Sequence, residues 1–215
     1  MSLTDIIIYI AASLVVIFFV LPVHEFSHGL TAVWLGDKTP KYQGRLTINP
    51  FAHIDDIGAA AILLFGFGWA KPVQVDMRNF KRPKLDMAIT ALAGPLSNII
   101  FAFVSLCLWK GLILLNVKSA NTIDGFLTIA FYYLISINIS LAVFNLLPIP
   151  PLDGSRLLNV ILPDRIYYKI MRYERFIIWG VFILLWIGVL DVPMTYMRSW
   201  IYSGIDTLTY FIFRI

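Results

Sequence analysis

The sequence predicts a membrane all-α protein, a polytopic helical bundle of about five spans with a small membrane-associated β-sheet and a re-entrant segment. Three observations predict this class: 59% of the residues are hydrophobic, 14% are charged, and the mean hydropathy is +0.79. Ordinary globular domains carry about 25% charged residues. The 215 residues leave room for one compact membrane domain, 1–215, and we expect no separate soluble module.

The first predicted span covers residues 5–35, and residues 6–23 within it carry no charge. About 20 apolar residues are enough to cross a bilayer core of roughly 30 Å. A cleaved signal peptide is the competing interpretation, but no Lys or Arg precedes the apolar run and no small-residue cleavage site follows it. The other predicted spans are 87–109, 125–147, 176–190 and 196–213, of which the last two are short.

The long loop after the first span contains three candidate elements. The apolar stretch 57–70 is shorter than the roughly 17 residues that a spanning helix requires, so we expect it to be re-entrant or interfacial. Residues 41–48 and 69–75 have the β-branched and aromatic bias of strands. They predict the small sheet, which must be covered by protein or line a wet cavity.

The basic residues predict the orientation in the membrane. Eight Lys or Arg lie between residues 36 and 86, and five more lie between 148 and 175. By the positive-inside rule both loops face the cytoplasm, which requires that 57–70 does not cross. Because these residues are scattered over membrane-flanking loops, the net charge of +4 does not indicate a nucleic-acid partner.

The pattern H-E-x-x-H occupies residues 24–28, near the end of the first predicted span. Residues four apart on a helix share one face, so the imidazoles of His24 and His28 can reach one metal ion while Glu25 stands beside it as a base. Purely structural roles are the weaker interpretation, because ionisable groups in a span are costly and usually functional.

A third metal ligand is expected from a distant segment, since catalytic zinc sites usually have three protein ligands and a water. The best candidate is Asp153, which follows the predicted span 125–147. Three prolines between residues 148 and 151 prevent regular helix there, and irregular backbone at membrane depth is tolerated where it lines a polar cavity. The alternative is an ordinary turn residue before Gly154.

Together these motifs resemble the site-2 protease family of zinc intramembrane metalloproteases, in its minimal bacterial form without peptide-binding or regulatory domains. H-E-x-x-H alone is moderately specific, and combined with N-x-x-P-x-P-x-L-D-G it is strongly specific. The matching segments cover most of residues 20–160 in family order: His24–His28, Asn49–Asp55, Phe65–Val73, Ala93–Asn98 and Asn145–Gly154.

The resemblance implies a hydrolase that performs regulated intramembrane proteolysis on a transmembrane protein or peptide. It implies one Zn²⁺ per chain held by His24, His28 and Asp153. Glu25 is then the general base that activates water, and Asn145 helps to bind the oxyanion. The implied location is the bacterial inner membrane, as a multi-pass protein with its active site toward the cytoplasmic side.

Several alternatives stay open at this stage. His53 either lines the active site as a further catalytic group or forms a structural hydrogen bond within its loop. Asn145 could instead cap a helix end. A zinc-handling transporter and a catalytically silent scaffold homologue are the alternative functions. The substrate, the trigger and the oligomeric state, a homo-oligomer included, are not determined by the sequence.

Overall fold

The computed structural model describes residues 3–65, 68–115 and 123–214, and these residues are predominantly helical, with no β-strand among them. The predicted all-α class is confirmed. The helices are α1 (Leu3–Val15), α2 (Leu21–Leu35), α3 (Thr39–Tyr42), α4 (Asp56–Phe65), α5 (Pro83–Leu114), α6 (Ile123–Leu146), α7 (Gly154–Ile161), α8 (Asp164–Met171), α9 (Glu174–Trp186) and α10 (Asp191–Phe213). Single 3₁₀ turns lie at Pro50–Ala52 and Met77–Asn79.

The described residues contain three or four candidate membrane-spanning helices rather than about five. Three stretches are long and apolar enough to span: Ile6–Leu35, Pro83–Leu114 and Leu127–Leu146. The predicted spans 176–190 and 196–213 correspond to α9 and α10, which meet at 84° and count at most as one broken span. Two features explain why α9 and α10 are not two spans. The chain turns at Gly188, which has φ +76°, and α9 has 13 residues, about 20 Å of helix, which is too short to cross a bilayer.

The first spanning helix contains a wide turn before its second half. Residues Val16–Val20 form a π-helical segment between α1 and α2, and the N–H of Leu21 donates to the carbonyl of Val16. The next residue, Pro22, has no N–H to continue the regular ladder, which accounts for a wide turn at this position. This segment packs on Ile62 of α4 in a small apolar cluster.

The predicted β-sheet is wrong. Residues 41–48 contain the end of α3 followed by turns, because Gly44 has φ +68° and interrupts the alternation that suggested a strand. The segment 69–75 is extended but pairs with no strand in the described residues. Its N–H groups bond elsewhere: Lys71 N–H donates to the His53 carbonyl and Val73 N–H to a Glu25 carboxylate oxygen, each at 2.8 Å.

The predicted re-entrant stretch 57–70 begins within the ten-residue helix α4, which is about 15 Å long and too short to span. The chain folds back tightly on this helix, because a Cβ added at Gly58 would lie 2.0 Å from the Trp69 carbonyl oxygen. Residues 66 and 67, within that prediction, lie outside the described residues. The Tyr9 hydroxyl ties α4 to α1 by donating to the Ile62 carbonyl at 2.7 Å.

The long helix α5 lies at the centre of the bundle and contacts α2, α6, α7 and α10. Its main apolar cluster joins Ala102 and Leu106 of α5 to Ile139 of α6 and Ile205 of α10. An ion pair between Lys110 and Asp206, 2.8 Å apart, also links α5 to α10. Helix α5 is therefore the scaffold against which the candidate site is built.

Candidate metal centre

His24 and His28 lie one turn apart on α2 and face the interior. Their side chains are buried, and their Nε2 atoms are 3.1 Å apart. The i, i+4 spacing on a regular helix puts both rings on one face, as the motif predicts.

Asp153 reaches the same point from the turn that follows α6. Its Oδ2 atom lies 3.2 Å from His24 Nε2 and 3.3 Å from His28 Nε2. The turn folds back closely on the end of α6, where a Cβ at Gly154 would come within 2.2 Å of the Leu146 carbonyl oxygen. Only glycine at this position permits so close an approach, and that approach carries Asp153 to the histidines.

The three ligand atoms fit a zinc ion. Zinc binds imidazole and carboxylate at about 2.0–2.1 Å, and tetrahedral geometry then separates neighbouring ligand atoms by about 3.3 Å. The three observed separations are 3.1, 3.2 and 3.3 Å. Two imidazoles and a carboxylate are also a donor set that catalytic zinc sites use, with a fourth position for water or substrate.

The two histidines lower the pKa of the Asp153 carboxyl. Burial alone would raise the pKa of this carboxyl, but its interactions with His28 and His24 outweigh burial and hold the pKa below its usual value.

Helix α5 forms a close wall of the site at Gly94. A Cβ added there would lie 2.3 Å from His28 Nε2 and 2.6 Å from His24 Nε2. No side chain larger than hydrogen fits at this position without displacing both imidazoles.

The orientation of His28 is set by a backbone group of α5. His28 Nδ1 is 2.8 Å from the Thr90 carbonyl oxygen, which can only accept, so Nδ1 carries the proton and Nε2 is free to bind metal. The Nδ1 atom of His24 is buried and has no hydrogen-bond partner among the described residues.

Glu25 lies beside the three-residue group and is not part of it. Its Oε2 atom accepts the N–H of Val73 at 2.8 Å, so the extended segment 69–75 holds the carboxylate. The arrangement fits a base that is positioned near the metal without ligating it.

His53 is not in the group of ligand atoms that lie within 4.8 Å of one another. Asn145 is half-buried in the last turn of α6, eight residues before Asp153, and its amide forms no hydrogen bond with the described residues. His53 is fully buried, its Nε2 is 2.8 Å from the Thr47 carbonyl oxygen, and its own carbonyl accepts from Lys71. This geometry favours the structural interpretation of His53, and the oxyanion role of Asn145 stays a prediction.

Two contributors to the site are absent from the sequence-based prediction. The Thr90 carbonyl and the Val73 N–H are backbone groups of a kind that nearly every residue has. Their residue types therefore do not identify them as part of a site. Gly94 lies in the segment Ala93–Asn98 that carries the family resemblance, but its contact with the imidazoles depends on how α5 packs on α2.

The fold and the site define a class: a helical membrane protein with a buried two-histidine, one-carboxylate centre and an adjacent carboxylate. Peptidase family M50 matches residues 109–188 of the chain. The relative named "Putative zinc metalloprotease YwhC", from Bacillus subtilis, is 39% identical over 171 residues, which cover 78% of this chain and 75% of YwhC. The chain belongs to peptidase family M50, the site-2 protease family, and the predicted resemblance is confirmed.

Two further relatives carry the same description in their names. MJ0611 of Methanocaldococcus jannaschii is 32% identical over 67% of this chain and 61% of its own length. Rip2 of Mycolicibacterium smegmatis is 29% identical over 61% of this chain and 49% of its own length. The match thus spans less than two thirds of MJ0611 and about half of Rip2. No solved structure matches the chain significantly.

Proposed function

We propose that this protein is a zinc endopeptidase that hydrolyses a peptide bond within or near a transmembrane segment of a membrane-protein substrate. The observation that carries the proposal is the convergence of Asp153 on His24 and His28, with all pairs of ligand atoms within 3.3 Å, where both histidines belong to a stretch apolar enough to span a bilayer. A metal centre carried by such a stretch is suited to a substrate that is itself embedded in the membrane.

In this proposal His24, His28 and Asp153 hold one Zn²⁺. A zinc ion held by these residues would supply Lewis-acid chemistry, which polarises a carbonyl and activates water. Glu25, held by the Val73 N–H, accepts the proton as water attacks the scissile carbonyl. The Asn145 amide, free of described partners, donates to the carbonyl oxygen as negative charge develops on it.

The substrate must unwind before its carbonyl can be attacked, because a helix shields its carbonyls with intrahelical hydrogen bonds. The apolar helices place the protein in a membrane, and we propose the bacterial inner membrane with the centre toward the cytoplasmic side. This orientation rests on the two basic loops, since positively charged loops stay on the cytoplasmic side. The cleaved product then leaves toward the cytoplasm.

The test is reconstitution of the purified protein with a panel of single-span peptides. We expect Glu25→Gln to keep its zinc and to lower cleavage by about 10²–10⁴-fold, the usual contribution of a general base. Zinc removal by a chelator should stop cleavage by the intact protein, and added zinc should restore it. Glu174→Gln, in the first turn of α9, is the matched control and should cleave normally.

A zinc-handling transporter or a silent scaffold homologue predicts a different result. In both cases Glu25→Gln leaves the function of the protein unaltered. Cleavage that is unchanged both by this substitution and by the chelator would contradict the protease proposal.

A further inference from the structure

A cavity of about 170 Å³ lies between α1, α4 and α6. Ala12 contributes to its wall from α1, Ile62 from α4, and Ile137 and Leu141 from α6. None of these side chains belongs to the metal centre, and the cavity has no part in the chemistry proposed above.

The cavity lies next to the metal centre along two helices. Leu21, which lines it, is three residues before His24 on α2, so the two share a face and are about 4.5 Å apart along the axis. Leu141 is four residues before Asn145 on α6, again on one face and about 6 Å away along the axis. Both helices that flank the metal centre thus continue, one turn further, into the wall of one cavity.

We propose that this cavity is a specificity pocket for one apolar side chain of the substrate, on a residue close to the scissile bond. The inference rests on the proposed function and adds to it a substrate preference. A substrate strand unwound at the metal centre has its neighbouring side chain about one helical turn away, within reach of the cavity.

Size and chemistry select the side chain. A cavity of about 150 Å³ lined by aliphatic residues is large enough for benzene, so 170 Å³ accommodates a Leu, Met or Phe side chain. The Tyr9 hydroxyl, at the cavity wall, already donates to the Ile62 carbonyl and does not call for a polar partner. The wall also includes Ser13 and Tyr133, but it holds no charged side chain, so an acidic or basic substrate residue would be left without a partner of opposite charge.

Ala12 offers a direct way to fill the pocket. Its side chain is small and lines the cavity, whereas its neighbour Ala11 is exposed on the outer surface of the same helix. Ala12→Phe therefore occupies the cavity, and Ala11→Phe makes the same change in size and hydrophobicity outside it. Ile137→Ala enlarges the cavity from the opposite wall and serves as a second, independent variant.

The experiment measures kcat/KM for peptides that carry Gly, Ala, Leu or Phe in turn at each of three positions on either side of the cleaved bond, which mass spectrometry locates. For the intact protein we expect one position at which Leu or Phe exceeds Gly by about tenfold or more, the usual effect of filling an apolar pocket. Ala12→Phe should abolish or reverse that preference at that position alone. Ile137→Ala should shift it toward Phe, and Ala11→Phe should leave it unchanged.

The possible outcomes distinguish failure of the pocket proposal from failure of the protease proposal. If the intact protein cleaves, Glu25→Gln does not, and yet Ala12→Phe and Ile137→Ala keep the original preference, the pocket is wrong and the protease proposal stands. A uniform loss over all peptides in both cavity variants also overturns the pocket, because it shows a structural role. Cleavage that Glu25→Gln does not affect, or no cleavage of any peptide, overturns the proposed function and the pocket with it.

Discussion

At the scale of single residues, the candidate centre joins groups of two kinds. The two histidines, His24 and His28, were predicted from residue type and spacing. Asp153 was predicted from its place after a span and from the family resemblance, and the structure brings all three ligand atoms within 3.3 Å of one another. Gly94 contributes by having no side chain, and the Thr90 carbonyl contributes through the backbone. The second kind cannot be recognised until the packing of α2 on α5 is known.

The contact of Gly94 with both imidazoles leads to a prediction about metal content. Gly94→Ala should lower zinc affinity by about 10–100-fold, the range typical of changes next to metal ligands, because its Cβ would lie 2.3 Å from His28 Nε2. The measurement is zinc per chain in the purified protein after dialysis against a graded series of zinc buffers.

Gly204→Ala is the matched control, since a Cβ at Gly204 meets nothing within 4 Å. It should keep its zinc, and its helix should gain up to about 1 kcal/mol in propensity. Full zinc occupancy in Gly94→Ala at every buffered concentration would contradict the close contact.

At the scale of elements, the extended segment 69–76 is held to the end of α2 by one buried aspartate. Asp37 accepts hydrogen bonds from Asp76 N–H at 2.8 Å, from the Asn79 amide at 2.7 Å and from Thr39 N–H at 3.0 Å. Its side chain is 0% exposed. Because Val73 in this segment donates to Glu25, the Asp37 cluster also supports the position of the proposed base.

The pKa of Asp37 gives this tether a defined pH dependence. Burial would raise that pKa, but the hydrogen bonds from Thr39, Asn79 and Asp76 outweigh burial and lower it below 3.8. A lowered pKa means that folding favours the ionised form. The stabilisation is therefore complete above about pH 3.8 and is lost as the pH falls toward the folded-state pKa.

We expect Asp37→Asn to lower the free energy of unfolding at pH 7 by about 1–3 kcal/mol, because buried donors lose a charged acceptor. The acid-induced loss of stability below pH 3.8 should also become shallower than in the intact protein. Thermal unfolding in detergent across pH 2–7 measures both effects. Asp56→Asn, at an exposed position, is the control, and an equal effect in both variants would contradict the tether.

The errors of prediction also belong to the element scale. The stretches 41–48 and 69–75 have strand-like composition, but a strand requires a partner, and the N–H groups of the second stretch bond to Glu25 and to a loop carbonyl. The break between the two C-terminal segments was predicted at 191–195, whereas the structure places it at 187–190, around Gly188. The number of spans was overestimated, because hydropathy alone does not show that α9 and α10 turn by 84°.

At the scale of the whole molecule, the two basic loops lie at the same end of the bundle. Lys84, at the start of α5, forms an ion pair with Asp164, at the start of α8, with 2.5 Å between Nζ and Oδ1. Loops 36–86 and 148–175 thus meet, as the parity of the predicted spans requires. The contact does not decide which side of the membrane they face.

Cysteine labelling decides the orientation. In a Cys107→Ala background, we expect Lys81→Cys and Lys169→Cys to react with an impermeant maleimide only when the cytoplasmic face is accessible, as in inverted vesicles. Leu115→Cys, exposed at the far end of α5, is the control and should show the opposite pattern. Labelling of residues 81 and 169 from opposite sides would contradict the shared end.

The sequence by itself determined the membrane class, the principal helices and the identity of the three proposed ligands. These follow from local rules: apolar length predicts a span, i, i+4 spacing predicts a shared helix face, and imidazole and carboxylate are zinc-binding groups. Tertiary structure alone decided that Asp153 reaches the histidines and that Gly94 closes the site against them. Tertiary structure alone also decided that the Val73 N–H bonds to Glu25 and that a cavity lies about one helical turn from the metal centre. The physical reason is that these features depend on distances between segments far apart in the chain, which packing sets and local residue preference does not.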